Sequence, residues 1–315
     1  MEYRLLGRSG LRVSRLCLGT LTIGPLQAHL SLTEGAKVIR TALEEGITFL
    51  ETAELYDTYD YIRRGLAGWP GEVVIASRSY DYTYAGMRAR VAKALRELKR
   101  DYIDIFMLHE QESRLTLRGH GPALEYLAEA KEKGLVRAVG VSTHVVEVVT
   151  ACAQHPLVDV IQPIVNYAGL GIKGGTLADM LAAIQEAKAA GKGVYAMKPL
   201  GGGNLLKNFQ AAWDFVLSLD ALDAIAVGMK TPAEVKANVK IAAGEPVPAE
   251  VAAAIRAEKK ELSIADWCQG CGRCQTQCRQ GALYLKDGKM HVDNTRCLLC
   301  GYCAAVCPEF CIKVV

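Results

Sequence analysis

Cys268-x2-Cys271-x2-Cys274-x3-Cys278 and Cys297-x2-Cys300-x2-Cys303-x3-Cys307-Pro308 dominate the C-terminal end of the chain. Three thiolates at two-residue spacing on a tight loop can hold three corners of one iron–sulfur cubane, and the fourth cysteine of each run reaches across to the other cluster. The spacing therefore predicts two [4Fe–4S] sites. Cys268, Cys271, Cys274 and Cys307 form one ligand set, and Cys297, Cys300, Cys303 and Cys278 the second. Between the runs, Ala282–Leu285 and Met290–Val292 flank Lys286-Asp287-Gly288-Lys289 and read as a β-hairpin on a glycine turn.

Two other uses of cysteine compete with this reading. Disulfides need an oxidising compartment, and Met1-Glu2-Tyr3-Arg4 opens without the charged and apolar regions of a signal peptide, so a reducing, cytoplasmic setting is expected. Zinc also takes four cysteines, but as C-x2-C pairs, whereas these runs supply triples. The unit resembles a bacterial two-cluster ferredoxin. It departs from that pattern at Arg279, which follows Cys278 where proline is usual, as at Pro308, and is expected to alter charge and solvent access at one cluster. Cys17, Cys152 and Cys311 are left over as packed thiols.

With 315 residues, the chain has room for one large α/β barrel beside a small module. Half of the residues are hydrophobic, enough for a sizeable core. A net charge of +3 with both signs well mixed gives no case for nucleic acid or an anionic membrane surface, and no apolar run approaches a membrane span.

Upstream of the cysteines, short apolar β-rich runs alternate with helical stretches eight times, the order of a (β/α)8 TIM barrel. The predicted strands are Leu16–Gly19, Thr48–Ala53, Val73–Ser79, Tyr102–His109, Val136–Thr143, Val158–Val165, Gly193–Pro199 and Ala224–Met229. Helices are expected at Thr33–Glu45, Gly86–Arg100 and Ala123–Lys133. Thr231-Pro232-Ala233-Glu234 reads as a capping box that opens the last barrel helix. The barrel is assigned to residues 1–245, a linking helix (Pro248–Leu262) to 246–262, and a small α+β ferredoxin-like domain to 263–315. Barrel chemistry belongs at the carboxyl ends of the strands. Glu51, Tyr56, Arg78, His109, Ser142, Thr143, His144, Gln162, Asn166 and Lys198 gather there.

These positions lie in motifs. Tyr3-Arg4-Leu5-Leu6-Gly7-x-Ser9-Gly10-Leu11-x-Val13-Ser14, Phe49-Leu50-Glu51-Thr52-Ala53-Glu54-Leu55-Tyr56, Asp101-Tyr102-Ile103-Asp104-x3-Leu108-His109 and Gly140-Val141-Ser142 follow one another in order. Residues 3 to about 240 resemble the aldo-keto reductases, specifically those fused to a ferredoxin-like tail. The resemblance implies a nicotinamide-dependent carbonyl reductase or alcohol dehydrogenase. Its Asp, Tyr, Lys, His tetrad carries over as Glu51, Tyr56, Arg78 and His109, with departures at Glu51 and Arg78. In that mechanism the tyrosine donates a proton to the carbonyl oxygen, so its phenol must be acidified by a nearby cation. Arg78 can supply the charge and pair with Glu51, but it cannot relay a proton.

The cofactor positions are mixed in the same way. Ser142 and Gln162 fall where the family grips the nicotinamide carboxamide, with Asn166 in the same stretch. Met197 beside Lys198 stands in for the usual stacking aromatic. Gly201, Gly202 and Gly203 permit close approach to a pyrophosphate. Lys230 with the Thr231-capped helix start reads as an anion site, which favours NADP over NAD.

Nicotinamide moves two electrons and each cluster one. Three arrangements follow. The first is NADP(H)-linked conversion of a small carbonyl or alcohol substrate, joined through the clusters, with or without a flavin, to a redox partner protein. In the second, an electron-transfer module carries a barrel that has lost nicotinamide chemistry and serves for docking or an unidentified substrate. The third has clusters that only staple the tail. The tail's place in the chain also predicts that it walls the substrate pocket and brings a cluster toward Tyr56.

Overall fold

A computed structural model describes residues 1–315. Two short strands, β1 (Tyr3–Leu5) and β2 (Arg12–Ser14), pair antiparallel ahead of the barrel. This hairpin is absent from the expected strands. Its Leu6, Leu11 and Val13 pack with the inward side chains of the barrel strands and plug the amino end.

Eight parallel strands then close on themselves: β3 (Leu16–Gly19), β4 (Phe49–Glu51), β5 (Val74–Ser79), β6 (Ile103–Leu108), β7 (Val136–Thr143), β8 (Val160–Pro163), β9 (Gly193–Met197) and β10 (Ala224–Gly228). Closure is by β10 on β3, with Ile225 opposite Leu16. These strands are buried on both faces, inward by their own packing and outward by helices, which is why they read as apolar runs. Several end earlier than expected. Thr52, Ala53, His109, Val165, Lys198 and Met229 leave the ladder to shape the mouth.

Nine helices accompany the strands: α1 (Leu32–Glu44), α2 (Tyr59–Leu66), α3 (Tyr84–Leu98), α4 (Arg114–Gly119), α5 (Gly121–Glu132), α6 (Val146–Gln154), α7 (Leu177–Ala189), α8 (Phe209–Leu217) and α9 (Pro232–Ala242). Reciprocal capping boxes start α1 at Ser31 with Glu34 and α7 at Thr176 with Asp179. The box expected at Thr231 is only half made. Thr231 Oγ accepts the Glu234 N–H at 3.2 Å, but the Glu234 carboxylate takes the Lys230 N–H, at 2.7 Å, instead of the Thr231 N–H. No helix is long and apolar enough to cross a membrane.

The remaining elements are α10 (Ala249–Ala257), β11 (Leu262–Ile264), α11 (Arg273–Gln277), β12 (Leu283–Lys286), β13 (Lys289–Val292), α12 (Tyr302–Ala305) and β14 (Ile312–Val314). The linking helix expected to reach Leu262 stops at Ala257. Leu262 instead opens a strand paired with Val314, buried with Leu283, Met290 and Ile312, and its N–H and carbonyl are both held by the Asn294 side chain. It belongs to the C-terminal unit, not to the link. The hairpin β12–β13 turns on Asp287 (φ 50°) and Gly288 (φ 72°), the two left-handed residues a tight two-residue turn requires.

This unit sits on the carboxyl end of the barrel. Phe310 joins the main barrel core, close enough that a Cβ on Gly171 would lie 2.8 Å from its ring. Glu309 pairs with Lys173 at 3.0 Å, and the Asn204 amide donates to the Ile312 carbonyl at 2.9 Å. Gly203 (φ 85°) lies so close under β14 that a Cβ there would run into the Val314 carbonyl. Gly203→Ala is therefore expected to cost about 1–2 kcal/mol for the left-handed backbone alone, and more as β14 is displaced. Limited proteolysis between residues 245 and 262, with a thermal unfolding scan, would register the loosened tail.

Candidate active site and cluster sites

Glu51 ends β4, Arg78 lies on β5 and Gln162 on β8, and all three point into the barrel mouth as a closed ring. The Arg78 guanidinium pairs with the Glu51 carboxylate and donates to Gln162 Oε1. Gln162 Nε2 donates in turn to Glu51 at 2.6 Å, and Arg78 Nε reaches the Thr52 carbonyl at 3.3 Å. Arg78 is 1 % exposed, so its charge is balanced almost wholly inside this ring. Gln162 is thus committed to the ion pair rather than presented to a cofactor.

Tyr56 follows β4 on a short 3-10 turn and stands above the ring, with the guanidinium 5.9 Å from its ring centre and His109 edge-on at 5.8 Å. Burial pushes the Tyr56 phenol above its ordinary range. Arg78 opposes that rise, and Glu51 and Glu110 add to it. Acidification by Arg78, expected from the sequence, is outweighed by burial, with Glu51 and Glu110 adding to the rise. His109 is held neutral by burial and then by Arg78, and its Nδ1 has no partner in the protein.

Beside this pair, Tyr80 and Glu110, which sequence reasoning missed, join His144 and Lys198, which it placed at the strand ends. Tyr80 stacks on His109 at 4.1 Å, and its hydroxyl donates to Glu110 at 2.8 Å. Glu110 lies within 3.5 Å of both Lys198 Nζ and His144 Nε2, which are 2.7 Å apart. Burial would raise the Glu110 carboxyl, but Lys198, the histidines and Tyr80 together hold it well below the usual range. Glu110 (φ 40°) and Lys198 (φ 59°) are both left-handed, a conformation costing a non-glycine residue about 1–2 kcal/mol. The tail closes this wall: Phe310 has Lys198 Nζ 5.2 Å and Lys313 Nζ 3.1 Å from its ring centre. Proximity of Glu110 to His109 in sequence was the one available signal, and nothing in the local pattern marks Lys313.

The positions expected to hold a nicotinamide dinucleotide have partners within the protein. Ser142 Oγ accepts the Glu110 N–H at 2.9 Å, and Asn166 closes its own loop with two 2.9 Å bonds to the Leu170 backbone. Met197 is buried and its carbonyl holds the Val165 N–H. A Cβ on Gly202 would meet Lys313 at 2.7 Å, and Gly201 packs on Leu205 and Leu170, so the close approach these glycines allow is made by the protein's own tail. At the start of α9, Glu234 already supplies the anion expected beside Lys230 and Thr231.

The cysteines divide as their spacing predicts. Cys268, Cys271, Cys274 and Cys307 line one cavity, and Cys278, Cys297, Cys300 and Cys303 line another. No three potential ligands converge on a point that one ion could occupy, as zinc at about 2.3 Å from each sulfur would demand. Four thiolates around each cavity is the number that a [4Fe–4S] cluster takes. Backbone N–H groups of Gly270, Ala282 and Cys311 donate to the sulfurs of Cys268, Cys278 and Cys307 at 3.4, 3.4 and 3.2 Å, stabilising the thiolates. Cys311 also lines the first cavity, but burial and the neighbouring thiolates push its thiol up to about 12, which keeps it protonated.

Comparison with known proteins divides the chain at the same place. The aldo/keto reductase family model matches residues 15–211, and a 4Fe-4S dicluster domain model matches 267–311. An L-galactose dehydrogenase of Arabidopsis thaliana is 23 % identical over 68 % of this chain and 70 % of its own length. A component of an ion-translocating oxidoreductase complex of Methanosarcina acetivorans is 34 % identical over 15 % of this chain and 18 % of its own length. A solved aldo-keto reductase from Pseudomonas aeruginosa superposes with a TM-score of 0.67 at 25 % identity, covering 77 % of this chain and 94 % of that one.

Removing one partner of the buried ring leaves the other charge uncompensated, so Glu51→Gln or Arg78→Met should cost about 3–5 kcal/mol in denaturant unfolding. His109 and His144 are both depressed below their unfolded value near 6.5, so the unfolded state takes up protons first as pH falls. Stability should be full above about pH 6.5 and decline below it, and His144→Gln should flatten that decline in a pH series of thermal scans.

Proposed function

We propose, for a chain that belongs to the aldo/keto reductase family and carries a 4Fe–4S dicluster domain, that it interconverts a small carbonyl compound and its alcohol at Tyr56, with electrons passing through the clusters rather than from a nicotinamide held in the barrel mouth. One observation supports this reading: β14 and the Lys313 side chain pack on Gly202 and Gly203, in the loop whose glycines suggest a close approach to a pyrophosphate. Cys268, Cys271, Cys274 and Cys307 would hold one cluster, and Cys278, Cys297, Cys300 and Cys303 the other. Each cluster carries one electron when bound, so the two together match the two-electron difference between carbonyl and alcohol.

The chain's own residues supply the remainder. Reduction of a carbonyl to an alcohol takes up two electrons and two protons. The electrons would come one at a time from the bound clusters, recharged by a one-electron carrier protein. Tyr56 would give one proton to the oxygen and regain it from solvent, and the second proton would reach the carbon from solvent. Tyr56, kept protonated by burial, presents its hydroxyl proton to the substrate oxygen, and neutral His109 orients that oxygen. Arg78, fixed by Glu51 and Gln162, places a cation beneath the tyrosine ring without giving up a proton. Phe310 and Lys313 narrow the opening on the tail side and limit the entry of water.

Oxygen-free protein with about eight irons per chain is the material for the test. NADPH and then NADH would be added while cluster absorption and the low-temperature EPR signal are followed. Neither nucleotide should reduce the clusters or bind at micromolar concentration, whereas dithionite should reduce both. Reduction by NADPH alone would overturn the proposal and restore a nicotinamide route. Tyr56→Phe should lower carbonyl turnover about 10²-fold or more and leave dithionite reduction of the clusters unchanged.

A further inference from the structure

The two cysteine-lined cavities differ in what surrounds them. From Cys307 the chain runs through Pro308 and Glu309 into Phe310, which is buried in the barrel core, and Glu309 is tied to Lys173 and to the Trp267 indole N–H. The first cavity therefore borders the barrel. Around the second, Cys300 is exposed, and Leu298 and Tyr302 are 61 % and 71 % exposed, among the most exposed large apolar side chains of the protein. Exposed apolar side chains of this size at the lip of a redox site mark a contact surface.

The charge along the segments that form that lip has one sign. Residues 277–281 and 295–302, which supply Cys278, Cys297 and Cys300, contain Arg279 and Arg296 and no acidic residue. Both arginines are exposed. The Arg296 guanidinium lies 2.8 Å from where a Gly281 Cβ would be, against the loop that follows Cys278, and Arg279 is on that loop directly after Cys278. The nearest acid along the chain, Asp293, accepts the Thr295 N–H and hydroxyl and keeps its charge beside Arg296, so Arg279 is the cation with no acid near it in sequence. Arg279 also stands where the ferredoxin pattern has proline, so a rigid neutral residue has become a mobile cation at this edge.

We propose that the lip of the second cluster site is the docking surface for an acidic one-electron carrier protein. Leu298 and Tyr302 form the apolar centre of the contact, and Arg279 and Arg296 its charged rim. Such a centre with a polar rim is the usual anatomy of an interface, and transient electron-transfer contacts are small enough for this patch. One electron leaves the reduced carrier and enters the second cluster, and no proton or bond is exchanged. The inference rests on a cluster occupying that cavity and is independent of whether nicotinamide binds the barrel.

The test is anaerobic stopped-flow reduction of the full-length, cluster-loaded protein by a reduced acidic ferredoxin, with binding of the oxidised ferredoxin measured by calorimetry. The rate should fall about tenfold or more between about 0.02 and about 0.5 M salt. Arg279→Glu with Arg296→Glu should lower it by about tenfold or more at low salt and weaken binding in parallel, with iron content and dithionite reduction unchanged. Arg279→Pro, which restores the ferredoxin residue, should give a smaller loss in the same direction. Arg273→Glu, beside the first site, should change little. Indifference to salt and charge reversal, or a loss confined to Arg273→Glu, would overturn the proposal. So would a shifted cluster potential with ferredoxin binding intact, because the arginines would then serve the cluster alone.

Discussion

Phe310 is where two independently recognisable pieces of chain become one hydrophobic core. Its side chain belongs to the same buried cluster as the outer faces of the barrel strands, although it lies three residues past the last cluster cysteine. A phenyl ring buried in this way holds its neighbours in register. Glu309 stays on Lys173, Ile312 stays on Asn204, and β14 stays on the glycine loop. The position of the first cluster site, the narrowing of the barrel mouth and the occupation of the expected cofactor cradle all depend on that single insertion.

Inside the mouth, the organising force is the cost of burying charge. Arg78 cannot be deprotonated, so a barrel that places it on β5 must answer it with acceptors. Glu51, Gln162 and the Thr52 carbonyl do so. The longer Glu51 side chain can meet a guanidinium that is itself longer than a lysine ammonium, and Gln162 fills the remaining acceptor and donor positions. The two substitutions and the glutamine are therefore one compensated set, while burial more than offsets the acidifying effect of Arg78 on Tyr56.

Much of the architecture is legible in the sequence because it follows from short-range geometry. The barrel strands read as apolar runs since both faces are buried, and β7 matches its expected bounds. Cysteine spacing divides the thiolates between two cavities because a loop of that length reaches only so far. What escapes such a reading is long-range. Lys313 and Phe310 gain their meaning from where β14 lands, and Tyr80 from the plane of His109. The triple glycine does mark a place of close approach, but glycine says only that something comes near, not whether it is a phosphate or a neighbouring strand. The end of α10 is misplaced by pattern alone because Leu262 is apolar and closes an otherwise helical stretch, while its actual partners lie 32 and 52 residues further on, at Asn294 and Val314.

The seat of β14 on Gly201–Gly203 carries a consequence for how such a chain can change over generations. A carrier domain joined to a barrel by a loose tether would leave each free to drift. Here Gly202 and Gly203 are left-handed and lie under the strand, which leaves no room for a side chain on either, while Gly201 is closed off by Leu205 and Leu170. Neither segment can accept a bulkier residue unless the other yields, so the two ends of the molecule are inherited as a matched pair, and lineages that discard the tail would be released to fill that loop with ordinary side chains.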